Sequence, residues 1–236
     1  MEKKELLYEG KAKKVFTTEN PEQLIVSYKD DATAFDGQKK GTIVGKGAIN
    51  NRMTNHIFKL LEQKGVPTHL VEELNDRETV VKKVEIVPLE VIIRNYSAGS
   101  FAKKLGMEEG IQLACPTLEF SYKNDDLHDP FINSYYALAL KLATQEEIDI
   151  ITKYAFIVNQ VMQEYFSGLG IDLIDFKIEF GRLADKTIIL ADEVSPDTCR
   201  LWDKVTHEKL DKDRFRRDLG NVEDAYKEVF RRLGIE

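Results

Sequence analysis

Cysteine is scarce in this 236-residue chain: only Cys115 and Cys199 occur, in no metal-binding spacing. That sets aside a disulfide scaffold and a zinc site and points to free thiols in a reducing compartment. No apolar run approaches the roughly 18 residues of a membrane-spanning helix. The start, Met1-Glu-Lys-Lys-Glu5, leads into no signal-type apolar region, so the expectation is a cytoplasmic protein with no membrane partner. Positive charge is also short, with 34 Lys and Arg against 41 Asp and Glu, a net charge of −7. The basic residues form no long run, which argues against a nucleic-acid partner. Internal repeats are missing. No G-x-x-x-x-G-K-[ST] occurs, so the chain is not a P-loop protein. No H-R-D…D-F-G pattern occurs, which counts against a protein kinase. His56 and His69 show no partner spacing, and His128 stands alone in a loop.

What is present centres on Leu173-Ile-Asp-Phe-Lys-Ile-Glu-Phe-Gly181. The two-residue period of a strand puts Leu173, Asp175, Lys177 and Glu179 on one face and Ile174, Phe176, Ile178 and Phe180 on the other. A second run, Ile188 to Val194, follows a polar turn, and the pair reads as a β-hairpin with a longer loop. It ends in Ser195-Pro-Asp-Thr-Cys-Arg200. The hairpin brings Asp175, Lys177, Glu179 and either Asp192 or Glu193 to one rim. Carboxylates around a lysine suit a hard cation carrying a polyphosphate. The plain alternative is a solvated sheet face laced with salt bridges.

A hydrophobic fraction of 42% supports a real core, as one large domain or two small ones. Leu6 to Phe16 reads as strand, glycine turn, strand, with Lys11, Lys13 and Lys14 crowding the turn at Gly10. Such a turn fits over nucleotide phosphates, or is a charged hairpin tip. Leu24 to Tyr28 is the next strand. Residues 29–47, with Asp30, Asp31, Asp36 and Gly37, read as a long polar loop and mobile lid. Ala48 to Lys64 reads as an amphipathic helix stopped by Gly65 and Pro67. Thr79 to Arg94 holds two β-rich runs split at Pro88, with Glu90 within reach of a ribose hydroxyl. Arg94 followed by Ser97-Ala-Gly-Ser100 at a helix start reads as an anion site, or as a simple serine N-cap. Asn124 to Pro130 is turn-rich. Thr144-Gln-Glu-Glu147 is a capping box opening a helix through Phe166. Arg200 to Asp203 continues the loop, and Lys204 to Gly220 is charged and reads as surface. Asn221 caps a last helix that ends at Gly234.

Two of these stretches, Ile86-Val-Pro-Leu-Glu-Val-Ile-Ile-Arg-Asn-Tyr-Ser-Ala-Gly-Ser100 and Leu173 to Gly181, resemble the signature regions of the SAICAR synthetase family. Tyr8-Glu-Gly-Lys-Ala-Lys13, Asn124-Asp-Asp-Leu-His-Asp-Pro130 and Ser195 to Asp203 resemble it too, in the right order, and the length suits its short bacterial form. The resemblance implies an α+β fold. An antiparallel N-terminal subdomain, 1–88, lies over a larger α+β subdomain, 89–236, in an architecture related to kinases and ATP-grasp proteins. It implies an ATP-dependent ligase of purine biosynthesis using Mg²⁺, with carboxyaminoimidazole ribonucleotide and L-aspartate as small-molecule substrates and a homodimer as the assembly. Carried over residue by residue, Lys11, Ala12 and Lys13 would meet the ATP phosphates and Glu90 the ribose. Glu179 and Asp192 would hold Mg²⁺, the resemblance choosing Asp192 over Glu193. Arg94, Ser100 and Arg200 would clamp the substrate phosphate, and the catalytic pair Lys177 and Asp175 would lie near the substrate carboxylate. A small-molecule kinase and a non-catalytic nucleotide-binding module are the competing readings.

Overall fold

The computed structural model describes residues 1–34 and 38–235; Asp36 and Gly37 of the expected lid lie outside the described residues. Helices and strands mix as an α+β fold. Short β-branched runs near the start pair into a five-stranded antiparallel sheet. Its order is β1 (Leu6–Glu9), β2 (Lys13–Thr17), β3 (Gln23–Tyr28), β7 (Glu78–Lys82) and β6 (Leu70–Asn75). Within the 29–47 stretch expected as a loop, β4 (Asp31–Ala34) pairs with β5 (Lys39–Thr42) as a two-stranded ribbon. Ala32 and Ile43 hold it down in a small core with Ile49 and Tyr226.

The helix α1 (Lys46–Gln63) follows and has no side-chain cap of its own. Asp30 supplies one from outside. Its carboxylate accepts the N–H groups of Gly45 at 3.1 Å and Gly47 at 2.8 Å and both guanidinium nitrogens of Arg77 at 2.7 and 3.0 Å. Orphan N–H groups at a helix start and a positive dipole end make this a favourable place for a carboxylate. Position 47 must be glycine, because a Cβ there would sit 2.7 Å from the Tyr28 carbonyl oxygen.

The second sheet runs β10 (Phe131–Ile132), β9 (Gln112–Tyr122), β8 (Glu85–Tyr96), β11 (Ile171–Arg182), β12 (Ile188–Ala191). β8 does not break at Pro88 as expected. It runs through, with a register shift against β11 between Glu179 and Gly181. A bulge is where a residue lacking an N–H is tolerated within a sheet. Arg200 to Asp203 is not loop either: β13 (Cys199–Asp203) pairs with the first half of β11, on the edge whose second half pairs with β12. The chain crosses from β12 to β13 opposite Lys177, whose N–H donates to the Thr198 carbonyl at 2.9 Å. A second bulge, between Leu173 and Asp175, corrects the expected alternation. Leu173 joins Phe176, Ile178 and Phe180 in the main core, and Ile174 packs with Ala98 and Trp202.

The main core lies on one face of the second sheet. It packs Val87, Leu89, Val91 and Ile93 of β8 against α1 and against α4 (Gln145–Gly168). The expected Thr144–Glu147 capping box opens α4. The short helices α2 (Gly99–Leu105), α3 (Ser134–Ala139) and α5 (Asp213–Arg216) decorate the loops, with one 3₁₀ turn at Asp125–Leu127. The last helix, α6 (Val222–Leu233), buries Tyr226, Val229 and Leu233. Asn221 stands at its N-cap, but its side chain makes no capping bond.

Asp30 makes a stability prediction. Burial pushes its carboxyl up, but Arg77 and the Gly47 and Gly45 N–H groups outweigh that and hold it at about 2. A depressed carboxyl stabilises above its ordinary range, and that contribution disappears as pH falls towards 2. Asp30→Asn is therefore expected to lower the unfolding free energy by about 1–2 kcal/mol at pH 7. In urea titrations the gap to wild type should close on acidification; a gap constant with pH would contradict the assignment.

Candidate active site

The face of the second sheet opposite the core carries charge, and it is not a solvated face: Asp175 and Glu179 are each 3% exposed and Arg94 likewise. The register explains the grouping. Glu179 stands opposite Glu90, Lys177 opposite Ile92 and Asp175 opposite Arg94, so their side chains share one side. Asp192, just past β12, has a left-handed backbone (φ 58°) that turns the chain at this point. Strained backbone of this kind persists where surrounding structure holds it and clusters at functional sites.

Four carboxylates here meet three lysines. Lys177 lies 2.7 Å from Glu179, 3.2 Å from Asp192 and 3.5 Å from Glu90. Lys13, reaching across from β2, is paired with Asp192 and lies 3.1 Å from Glu193. Lys123 lies 3.0 Å from Glu179. Burial works to lower the lysines, yet the carboxylates raise Lys13 and Lys177 well above the ordinary lysine value. Asp192 is correspondingly held far below the usual carboxylate range by Lys13 and Lys177 against its burial. Glu90 is pushed up, mainly by burial. Both Asp192 and Glu193 meet Lys13, but only Asp192 reaches Lys177 as well; Glu193 accepts from the Ser195 hydroxyl at 2.8 Å.

Beside this cluster lies an arginine group. Asp175 accepts from Arg94 Nη1 at 2.6 Å and from Arg200 Nη1 at 2.8 and 3.1 Å. Arg94 also binds Glu119 through Nε at 2.8 Å and contacts the Ser100 hydroxyl at 3.3 Å. The structure therefore joins Asp175 to the arginines, with both its oxygens engaged. Gly99 has φ +54°, and a Cβ there would stand 2.5 Å from Arg200 Nη2. Ala98 rather than a serine occupies the N-cap position of α2, and the Gly99 N–H is taken by Glu109 at 2.9 Å. The serine-cap alternative is thereby set aside.

Two cavities flank the lysine cluster. One, of about 410 Å³, is walled by Val15, Leu24, Val26 and Val81 of the first sheet and by Ile86, and reaches Lys13, Lys123, Glu179 and Asp192. The other, of about 260 Å³, is polar and lined by Glu90, Arg94, Asp175, Lys177, Arg200 and Arg216, among others. Glu90, expected at a ribose, thus faces Lys177 and the arginine cavity. Lys11 stands apart from Lys13: it pairs with Asp125 at 2.8 Å on the solvent side. The Ala12 carbonyl accepts from the Lys29 N–H at 2.8 Å.

Several residues escape the sequence reading. Glu119 comes from the end of β9 and Lys123 from the residue just past it, and the strand's alternation of Leu118 and Phe120 with Glu119 and Ser121 is a legible signal. The Asp197 side chain is 4% exposed and binds Lys46 at 2.8 Å, Lys212 at 3.4 Å and the Tyr226 hydroxyl. The charged 204–220 stretch is not all surface: Asp211 and Asp213 are wholly buried. His69 is buried too, and burial takes its pKa down to about 3.

Among the described residues no group of three or more His, Cys, Asp or Glu side chains forms a metal cage. Glu179 and Asp192, which share Lys177, offer two hard oxygen donors. That donor set fits Mg²⁺, which is commonly held by one or two carboxylates plus phosphate oxygens and water.

Among the described residues, removing Asp175 would leave Arg200 ion-paired with Asp213 and Arg94 with Glu119. Asp175→Ala is expected to lower the unfolding free energy by about 3 kcal/mol or more, as for a broken buried ion pair. Urea unfolding measures it; a loss under about 1 kcal/mol would mean the pair behaves as a surface salt bridge.

A profile of the family described as SAICAR synthetase matches residues 6–233. The chain is 75% identical over 236 residues to a phosphoribosylaminoimidazole-succinocarboxamide synthase of Lachnoclostridium phytofermentans, covering 100% of both. Among solved structures it is similar to the phosphoribosylaminoimidazole-succinocarboxamide synthase of Ehrlichia chaffeensis, with TM-score 0.96 and 44% identity over 98% of this chain and 99% of that one. It is likewise similar to a SAICAR synthetase (type 2) in complex with ADP, with TM-score 0.94 and 47% identity over 97% of each chain. The sequence match runs end to end and the fold agrees over nearly all of the chain, so the chain belongs to the SAICAR synthetase family.

Proposed function

We propose that the chain is an ATP-dependent ligase of purine biosynthesis. It joins L-aspartate to carboxyaminoimidazole ribonucleotide and yields the succinocarboxamide, ADP and phosphate. The observation that carries this reading is the placement of the lysine–carboxylate cluster between an apolar cavity and an arginine-lined one. The apolar cavity suits an adenine ring, and a relative 47% identical is solved in complex with ADP, which supports nucleotide binding. The arginine cavity suits a phosphorylated, carboxylated substrate. We read 1–88 as the nucleotide-side subdomain and 89–236 as the substrate and metal side, although α1 of the former packs into the main core of the latter.

The chemistry needs an activated carboxylate, because direct amine attack would have to expel oxide. Transfer of the γ-phosphoryl group of ATP to the substrate carboxylate makes an acyl phosphate. The aspartate amine attacks its carbonyl carbon, and phosphate leaves. The protein positions the groups and neutralises developing charge. Lys13, Lys123 and Lys177 reach the seam between the cavities, where the transferred group passes. Arg94, Ser100 and Arg200 hold the ribonucleotide phosphate, with Asp175 orienting the two arginines. Glu90 helps keep Lys177 charged. Glu179 and Asp192 would hold Mg²⁺, which supplies charge neutralisation at phosphate oxygens when bound. We place the reaction in the cytoplasm and the assembly as a homodimer; exposed Tyr135 and Tyr136 of α3 offer apolar surface for a second copy.

Two outcomes test this reading. Glu179→Gln and Asp192→Asn should each abolish turnover while circular dichroism shows a retained fold; wild-type rates at limiting Mg²⁺ would remove them from the metal site. With heavy oxygen in the ribonucleotide carboxylate, one labelled oxygen should appear in phosphate per turnover. Phosphate released without label alongside normal amide formation would rule out carboxylate activation, and a stable phosphorylated product would point to a kinase.

A further inference from the structure

We propose that Asp213 is a positioning residue for the substrate-phosphate site. It sets the plane of the Arg200 guanidinium and tethers Arg216 beside it, so that one N–H edge of Arg200 is presented to the anion. The proposal rests on the ligase reading for the identity of that anion.

Asp213 is wholly buried within a segment whose composition reads as surface. Its Oδ2 accepts from Arg200 Nε at 2.9 Å and its Oδ1 from Arg216 Nη1 at 2.7 Å. Arg217 Nη2 lies 3.3 Å away and binds Glu109 as well, at 2.6 Å. On another edge, Arg200 Nη1 is gripped by Asp175. A planar guanidinium held at Nε and Nη1 by carboxylates from two different elements loses its freedom to swing. The remaining Nη2 is the atom packed against Gly99, one residue before Ser100, and among the described residues no hydrogen bond engages it. Arg200 thus carries two protein-facing edges and one directed at the start of α2.

Asp213 is itself anchored. Asp211, also wholly buried, accepts the Leu201 N–H with one oxygen at 2.8 Å and the Asp213 N–H with the other at 2.7 Å. The Asp211 carboxylate therefore staples residue 213 to the strand residue that follows Arg200. Leu210 closes the staple from the other side, its N–H donating to the Leu201 carbonyl at 2.8 Å. Arg200 and Asp213 stand 13 positions apart in the chain, and this clip makes that separation irrelevant to geometry. Burial and the neighbouring Asp213 raise Asp211 to about 7, while Arg200 and Arg216 overcome burial and hold Asp213 at about 2, in keeping with an ionised partner for both arginines.

The test is a double-variant cycle on the full-length protein with D213N, R200K and the pair. Steady-state kinetics are read for the ribonucleotide and for ATP, and ribonucleotide affinity is read by calorimetry without aspartate. D213N should raise the ribonucleotide KM and Kd by about tenfold or more and leave the ATP KM within about twofold. In the R200K background D213N should add less than about twofold, since residues acting through one another are not additive. A merely structural role predicts equal damage to both substrates and factors that multiply. Either result overturns the proposal, as does an unchanged ribonucleotide Kd in D213N. Should D213N fail to fold, D213E keeps the charge but moves the carboxylate off Arg200 Nε, and an unchanged ribonucleotide Kd there overturns it equally. A wild type that binds the ribonucleotide but makes no product sinks the ligase reading alone, because the affinity comparison stands without turnover.

Discussion

Every buried charge on the face of the second sheet opposite the core must be paired where it lies, because desolvating a lone ion is far costlier than any packing gain there. That constraint organises the molecule. Asp175 is held between Arg94 and Arg200, Arg200 between Asp175 and Asp213, and Lys177 among Glu179, Asp192 and Glu90. Each pairing recruits a different strand or loop. The sheet positions the central members, and the partners are drawn in from β2, β9, the 192–198 crossing and the start of α5.

The division of one edge of β11 between β12 and β13 lets this face become a site. The gap between the two partner strands falls opposite Lys177, where the crossing chain accepts the Lys177 N–H at the Thr198 carbonyl and pairs Asp192 with its ammonium group. Thr54 of α1 steadies the crossing by donating to the Val194 carbonyl at 3.1 Å. The glycine turn of the first sheet is tied down unevenly. Lys13 is paired in the low-dielectric interior, whereas the Lys11–Asp125 pair is largely exposed and contributes at most about 1 kcal/mol. The first sheet is thus anchored to the second through Lys13, next to the metal ligands proposed above. The wall of the apolar cavity is set by the same contact that sets the charge balance at its floor.

Much of this is legible in the chain itself. The alternation from Asp175 to Phe180 separates core from charged face correctly, and the Thr144–Glu147 box starts α4 where expected. Signals of this kind are local: a period of two or a cap three residues long is complete within its own segment. The misreadings have local causes as well. Proline at 88 reads as a break because a strand interior rarely tolerates it, and a bulge provides the tolerance. Leu173 and Ile174 exchange faces because a single-residue bulge reverses the period. The 204–220 stretch reads as surface because charge density is its only local signal.

The sequence determined the α+β class through its family resemblance, and by its own pattern the hairpin that carries Lys177 and Glu179 and the identity of the acids and bases that crowd one face. Only the tertiary structure decided which acid meets which base. Arg94 and Asp175 are 81 residues apart, Lys13 and Asp192 are 179 apart, and Lys46 and Asp197 are 151 apart. The choice of Asp192 over Glu193 as the neighbour of Lys177 turns on one left-handed residue at a strand end. The burial of Asp213 turns on a staple to a strand that composition reads as loop. Such partners are selected by low dielectric and register acting between distant segments, and neither leaves a periodic trace in the chain.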